Sequence, residues 1–122
     1  MSRKIMTVDD SPTIRQALYT ALISGGYDVV EAVDGREALA KLSSDSVHLL
    51  ITDLNMPHMD GIELIRKVRR DGKNRFLPII MLTSEAQNEK KMQGRAAGAS
   101  GWVVKPFTPS QLLAVVNLVC PF

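Results

Sequence analysis

Cys120 is the only cysteine, so no internal disulfide can form. Nowhere does an apolar run approach the ~20 residues of a membrane span. Met1-Ser2-Arg3-Lys4 leads into only Ile5, Met6 and Val8 as apolar residues before Asp9, too short a stretch for a signal peptide. There is no long basic block either. The net charge of +2 comes from scattered Lys and Arg, and a nucleic-acid surface is not indicated. No linker, internal repeat or low-complexity segment interrupts the chain. These absences lead us to expect a soluble, cytoplasmic protein with no membrane insertion. One more absence is local: from Pro106 to Phe122 there is no charged side chain.

What is present reads as one domain, residues 1–122, near the commonest domain size and with ordinary apolar content. Val47 to Thr52 is a short continuous apolar run closed by Asp53 and the polar turn Leu54 to Gly61, the pattern of a fully buried parallel strand. Arg3 to Val8 reads as a strand before it. Ser11-Pro12 is an N-cap followed by proline at the first helical position, and Gly25-Gly26 ends that helix. Asp28 to Ala32 is the second strand, and Gly35 to Leu42 the second helix. The third helix runs from Gly61 to Arg70, with Ile62, Leu64, Ile65 and Val68 inward. Pro78 to Leu82 is the fourth strand, Asn88 to Ala97 a helix, Trp102 to Val104 the fifth strand, and Pro109 to Val119 the last helix.

Strands alternating with helices imply an α/β fold, a doubly wound parallel five-stranded sheet with helices on both faces. Right-handed crossovers leave few topologies, and the flavodoxin-like (βα)5 strand order 2-1-3-4-5 is expected. In such sheets the working residues lie beyond the carboxyl ends of the strands. Four of the five strands finish there on a residue with chemistry: Asp9 and Asp10, Asp53, Thr83 and Lys105. Each alone is commonplace, as a helix start, a turn former or a surface group. Together they define a site.

Strands one and three are neighbours in that order, so three carboxylates crowd one pocket. Two like charges about 4 Å apart, at an effective dielectric of about 20, repel by roughly 4 kcal/mol. Such a group needs a cation or a shared proton. Lys105 supplies one positive charge, and the oxygen-rich set favours a hard ion, Mg²⁺. With the metal in place Asp53 becomes a candidate nucleophile that accepts a phosphoryl group as an acyl phosphate. That transfer depends on in-line positioning and on neutralising the equatorial oxygens, work suited to Mg²⁺, the Lys105 ammonium and the Thr83 hydroxyl.

Asp9-Asp10, Asp53, Thr83 and Lys105-Pro106-Phe107, each at the end of its strand, resemble the receiver domains of two-component response regulators, over Arg3 to Val119. With no output domain in the sequence, the likeness is to the stand-alone chemotaxis type. The resemblance implies that Asp53 is the phospho-acceptor and a direct Mg²⁺ ligand. Asp10 would bind the metal directly, Asp9 largely through water, and Asn55 through its backbone carbonyl. Lys105 and Thr83 would each hold a phosphoryl oxygen, and the Lys105-Pro106 bond would be cis. Trp102 falls where the family has its aromatic switch residue; its plain alternative is a core or half-buried tryptophan. The protein would take its phosphoryl group from a sensor histidine kinase, and it would catalyse its own phosphorylation and dephosphorylation without being an enzyme in the ordinary sense. Asn55 and Glu85 would tune how long the phosphate lasts.

Output would then be a surface, made by the fourth helix, fifth strand and fifth helix, for a downstream protein such as the flagellar motor switch or for a second copy of the chain. The uncharged last helix fits a docking face, or else a helix buried deeper than usual with Pro121 and Phe122 folded back. Lys90, Lys91 and Arg95 suit an acidic partner.

Other readings compete. An interaction module that is never phosphorylated, or a phosphate shuttle outside chemotaxis, would share the fold. A Mg²⁺-dependent phosphohydrolase of the haloacid-dehalogenase type needs an acid/base Asp where Asn55 stands. A flavin mononucleotide binder would cradle phosphate at the first turn, where Asp9-Asp10 repels it. His48 and His58 read as a strand residue and a loop residue rather than metal ligands.

Overall fold

The computed structural model describes residues 3–84 and 88–120. Glu85 and the proposed fold-back of Pro121 and Phe122 lie outside the described residues. The strands are β1 (Lys4–Val8), β2 (Asp28–Ala32), β3 (Leu49–Asp53), β4 (Ile79–Thr83) and β5 (Gly101–Val104). The helices are α1 (Pro12–Ser24), α2 (Gly35–Ser44), α3 (Gly61–Arg70), α4 (Asn88–Ala97) and α5 (Pro109–Val119). All strand pairs are parallel, in the order β2-β1-β3-β4-β5, the expected topology.

The boundaries shift by small amounts, each for a reason. Val47 and His48 precede β3, because the His48 N–H and its ring Nδ1 are both engaged with Lys4 before the ladder begins. Asp53 and Thr83 lie inside β3 and β4 as their last residues. α2 continues to Ser44, where the Asp45 N–H bonds back to Lys41 O.

Local chemistry starts α1, α2, α3 and α5 on an identifiable cap. The Ser11 hydroxyl accepts from the Ile14 N–H, with Pro12 occupying a helical position that needs no donor. The carboxylates of Asp34 and Asp60 accept from the Glu37 and Glu63 N–H groups. Thr108 and Gln111 form a reciprocal capping box at α5. The sheet is wound on both faces. Ile5, Leu49, Ile51, Ile80, Leu82 and Val103 pack with α1 and α5, while Met6, Val8, Leu50, Ile79 and Met81 pack with α2 and α3. β3 and β4 are buried along their whole length, as expected for central strands of such a sheet.

The last helix is not buried deeper than usual: one face packs inward and an apolar side chain is left on the other. Leu112 and Val116 are buried, Leu113, Val115 and Val119 are half-buried, and Leu118 is exposed. Among the described residues, no helix is long and apolar enough to cross a membrane.

Candidate functional site

Strand register assembles the site. Val8 pairs with Thr52, Asp53 with Leu82, and Thr83 with Val104. Asp9, Asp53, Thr83 and Lys105 therefore arrive together at the carboxyl edge of four adjacent strands. One carboxylate oxygen from each of Asp9, Asp10 and Asp53 can be chosen so that all lie within 4.8 Å of one another. Lys105 Nζ donates to Asp53 Oδ1 at 2.9 Å and stands 3.7 Å from Asp9 Oδ2.

The three acids differ in surroundings. Asp53 is 5% exposed and Asp9 only 1%, whereas Asp10 faces solvent. Asp9 Oδ1 accepts the Ser11 N–H at 2.9 Å, but buried Oδ2 has no hydrogen-bond partner. Burial pushes the Asp9 carboxyl above its ordinary range; the Ser11 N–H opposes this shift and the neighbouring Asp53 charge reinforces it. One ammonium thus faces three carboxylates, and a buried carboxylate oxygen is left without a donor. That combination is what a divalent cation satisfies, so the donor set fits Mg²⁺.

Thr83 is fully buried, and its Oγ1 is without a hydrogen-bond partner. Its backbone carbonyl accepts the Lys105 N–H at 2.6 Å, which ties the β4 end to the β5 end. The Lys105–Pro106 peptide is cis. Asn55 is exposed on the loop after β3. On the same loop His58 has φ of +71°, a left-handed conformation that is uncommon outside glycine. Trp102 is 40% exposed, so it is not a core tryptophan, and Lys91 Nζ stands 5.8 Å from the centre of its ring. The Met81–Trp102 and Thr83–Val104 pairs put Trp102 and Thr83 on the same face of the sheet.

Two residues of the site escape the sequence reading. Arg15 Nη1 donates to the Asp9 carbonyl at 2.7 Å. An arginine four residues after the N-cap of α1 was the available signal, but spacing alone does not reveal that it turns back over the acid loop. Gly61 packs directly on Asp53: a Cβ built there would lie 2.2 Å from the Asp53 carbonyl oxygen. In the sequence it reads only as the end of the turn and the start of the third helix, which does not reveal contact with the acid.

Residues 5–117 match the response regulator receiver domain family. The chain is 42% identical over 118 residues to chemotaxis protein CheY1 of Helicobacter pylori, covering 95% of each chain. It superposes on the structure of chemotaxis protein CheY4 of Vibrio cholerae with a TM-score of 0.93 at 46% identity, covering 98% of this chain and 99% of that one. The receiver domain of a sensor histidine kinase from Pseudomonas aeruginosa, with a magnesium ion coordinated in its active site cleft, gives a TM-score of 0.91 at 25% identity over the whole of both chains. A match of this extent, on a fold whose strand ends carry this set of acids, hydroxyl and amine, leaves one family: the chain belongs to the response regulator receiver domains and is of the CheY type.

Proposed function

We propose that Asp53 accepts a phosphoryl group from a sensor histidine kinase in a Mg²⁺-dependent transfer. The observation that carries this is a cluster of three acids in which one ammonium, Lys105, is shared by Asp9 and Asp53 while Asp9 keeps a buried oxygen without a hydrogen-bond donor. Asp9, Asp10 and Asp53, with the Asn55 carbonyl, would hold the ion. When bound, Mg²⁺ supplies positive charge for the phosphoryl oxygens. The kinase-receiver structure with magnesium in its cleft supports the metal's identity.

In this reading Asp53 forms the new oxygen–phosphorus bond as the donor's nitrogen–phosphorus bond breaks. Lys105 already lies beside the acceptor oxygen and neutralises charge on the group it receives. Thr83, with a buried hydroxyl free of other bonds, turns to donate to a second phosphoryl oxygen. The same groups serve the later hydrolysis, in which water attacks phosphorus and the Asp53 oxygen–phosphorus bond breaks to release inorganic phosphate, so the protein catalyses both steps on itself. Asn55, in place of a second acid, leaves the acyl phosphate without the base a phosphohydrolase needs.

The relatives named for chemotaxis support a role in that pathway, in the cytoplasm, as a single receiver domain spanning 1–122. Phosphorylation then changes the α4, β5 and α5 surface, where Trp102 and Leu118 are exposed, for a downstream protein such as the flagellar motor switch or for a second copy. Incubation with acetyl phosphate and Mg²⁺, followed by intact-mass measurement, tests the reading. The wild type is expected to gain one phosphoryl group and Asp53→Ala none; equal labelling of both would overturn it.

A further inference from the structure

Among the three clustered acids, Asp10 stands apart. It is exposed, and no hydrogen bond or ion pair to its carboxylate is present among the described residues. Asp53 is held by Lys105, and Asp9 by Ser11. With no such side-chain partner, where Asp10 sits depends first on the backbone that carries it.

That backbone is fixed from two sides. The Asp9 N–H donates to Ala32 O at 3.2 Å, continuing the β1–β2 ladder past its last pair. On the other side Arg15 Nη1 donates to Asp9 O at 2.7 Å. The carbonyl of residue 9 and the N–H of residue 10 share one rigid plane, so gripping that oxygen orients the peptide that carries Asp10. Arg15 is in turn anchored: its Nε pairs with Glu31 Oε1 on β2 at 3.2 Å, and its side chain is only 17% exposed. The guanidinium fork spans both contacts at once, which a lysine cannot do.

We propose that Arg15, oriented by Glu31, is a positioning residue for the divalent-cation site, acting through the Asp9–Asp10 peptide. This rests on the metal reading given above. It makes a prediction opposite in sign to the simplest alternative. Were Arg15 only a nearby positive charge, removing it would tighten binding of a cation to the acids. Were it a positioning group, removing it loosens binding, because groups that orient metal ligands typically contribute ten- to a hundredfold in affinity.

The test is the Mg²⁺ dissociation constant of the unphosphorylated full chain by calorimetry, with thermal unfolding in the presence of chelator as a separate readout. Arg15→Gln is expected to raise that constant about tenfold. Arg15→Lys, which keeps the charge but one contact only, falls between it and the wild type. Glu31→Leu, altering a partly exposed side chain on the edge strand, loosens binding in the same direction and serves if Arg15→Gln does not fold. Glu31→Gln keeps an oxygen for Arg15 and binds nearly as the wild type does. Unchanged or tighter binding in Arg15→Gln, or in Glu31→Leu where the former does not fold, would overturn the proposal while leaving the metal site intact. A wild type that binds no Mg²⁺ would instead overturn the metal reading itself, and this inference with it.

Discussion

Lys105 Nζ lies 2.9 Å from Asp53 Oδ1, joining the end of β5 to the end of β3 across β4. The contact serves two purposes that conflict. It neutralises the acceptor in the resting protein, and it occupies the place where a second cation would be attracted. Lys105→Met therefore has three expected results. Without metal the acids lose the one ammonium paired with them among the described residues, and the fold is destabilised by about 1–2 kcal/mol, between an exposed pair and a fully buried one. With Mg²⁺ the loss is recovered, so the metal-induced rise in Tm is larger than in the wild type. The rate of labelling by acetyl phosphate falls roughly a hundredfold, the scale for removing one positioned charge-stabilising group. Melting curves with and without Mg²⁺ check the first pair, and mass-detected time courses the last.

Asp9 gives a pH dependence with a definite sign. Burial raises its proton affinity in the folded state above the ordinary value of 3.8. Protonated Asp9 thus favours the fold: that contribution is fully present below 3.8 and is lost as pH rises through the raised folded value. Asn at this position keeps an oxygen for the Ser11 N–H and carries no charge. In chelator, Asp9→Asn is expected to be more stable than the wild type near neutrality, by about 1 kcal/mol. The difference should close as pH falls toward 3.8. Urea unfolding at a series of pH values measures it; a difference that widens on acidification would contradict the sign.

Two glycines separate a backbone contact from a side-chain contact. A Cβ at Gly61 meets the Asp53 carbonyl at 2.2 Å and Leu54 Cα at 2.9 Å, neither of which can yield without moving the acceptor. A Cβ at Gly35 meets Met59 Sδ at 2.7 Å, on a flexible side chain. Gly61→Ala is expected to cost about 2–3 kcal/mol and to weaken Mg²⁺ binding, while Gly35→Ala costs less than about 1.5 kcal/mol and leaves binding intact. Denaturant midpoints paired with calorimetry distinguish the two effects.

The fold was legible because hydrophobic runs and caps are local signals. β3 announces itself as five buried residues in sequence, and Ser11-Pro12 announces α1. The acids were legible too, since each ends a strand and the topology brings strand ends together. What stayed hidden depends on where long side chains turn. Arg69, in the basic last turn of α3, looks like a solvated charge. In the fold it donates to the carbonyls of Gly98, Leu77 and Arg75, closing the ends of α3, α4 and the intervening loop against each other. Arg69→Met strips charged donors from three carbonyls and is expected to cost about 2–3 kcal/mol by urea unfolding, despite its surface-like sequence context.

Trp102 offers a readout of the step from site to surface. The residue is 40% exposed with Lys91 over its ring, on the face of the sheet that also carries the buried Thr83 hydroxyl. If Thr83 turns toward a phosphoryl oxygen, it vacates space on that face and Trp102 can move inward, away from water and from Lys91. Beryllofluoride with Mg²⁺ mimics the acyl phosphate, so it is expected to shift Trp102 emission to shorter wavelength in the wild type and not in Asp53→Ala. Lys91→Met removes a cation–π contact of about 0.5–1 kcal/mol that favours the outward ring. The same spectral change should then be half complete at roughly two- to fivefold lower beryllofluoride, which is that energy expressed as an equilibrium ratio. Emission indifferent to beryllofluoride in a protein that demonstrably binds it would remove Trp102 from the signalling route and leave the α4 surface to respond by other residues.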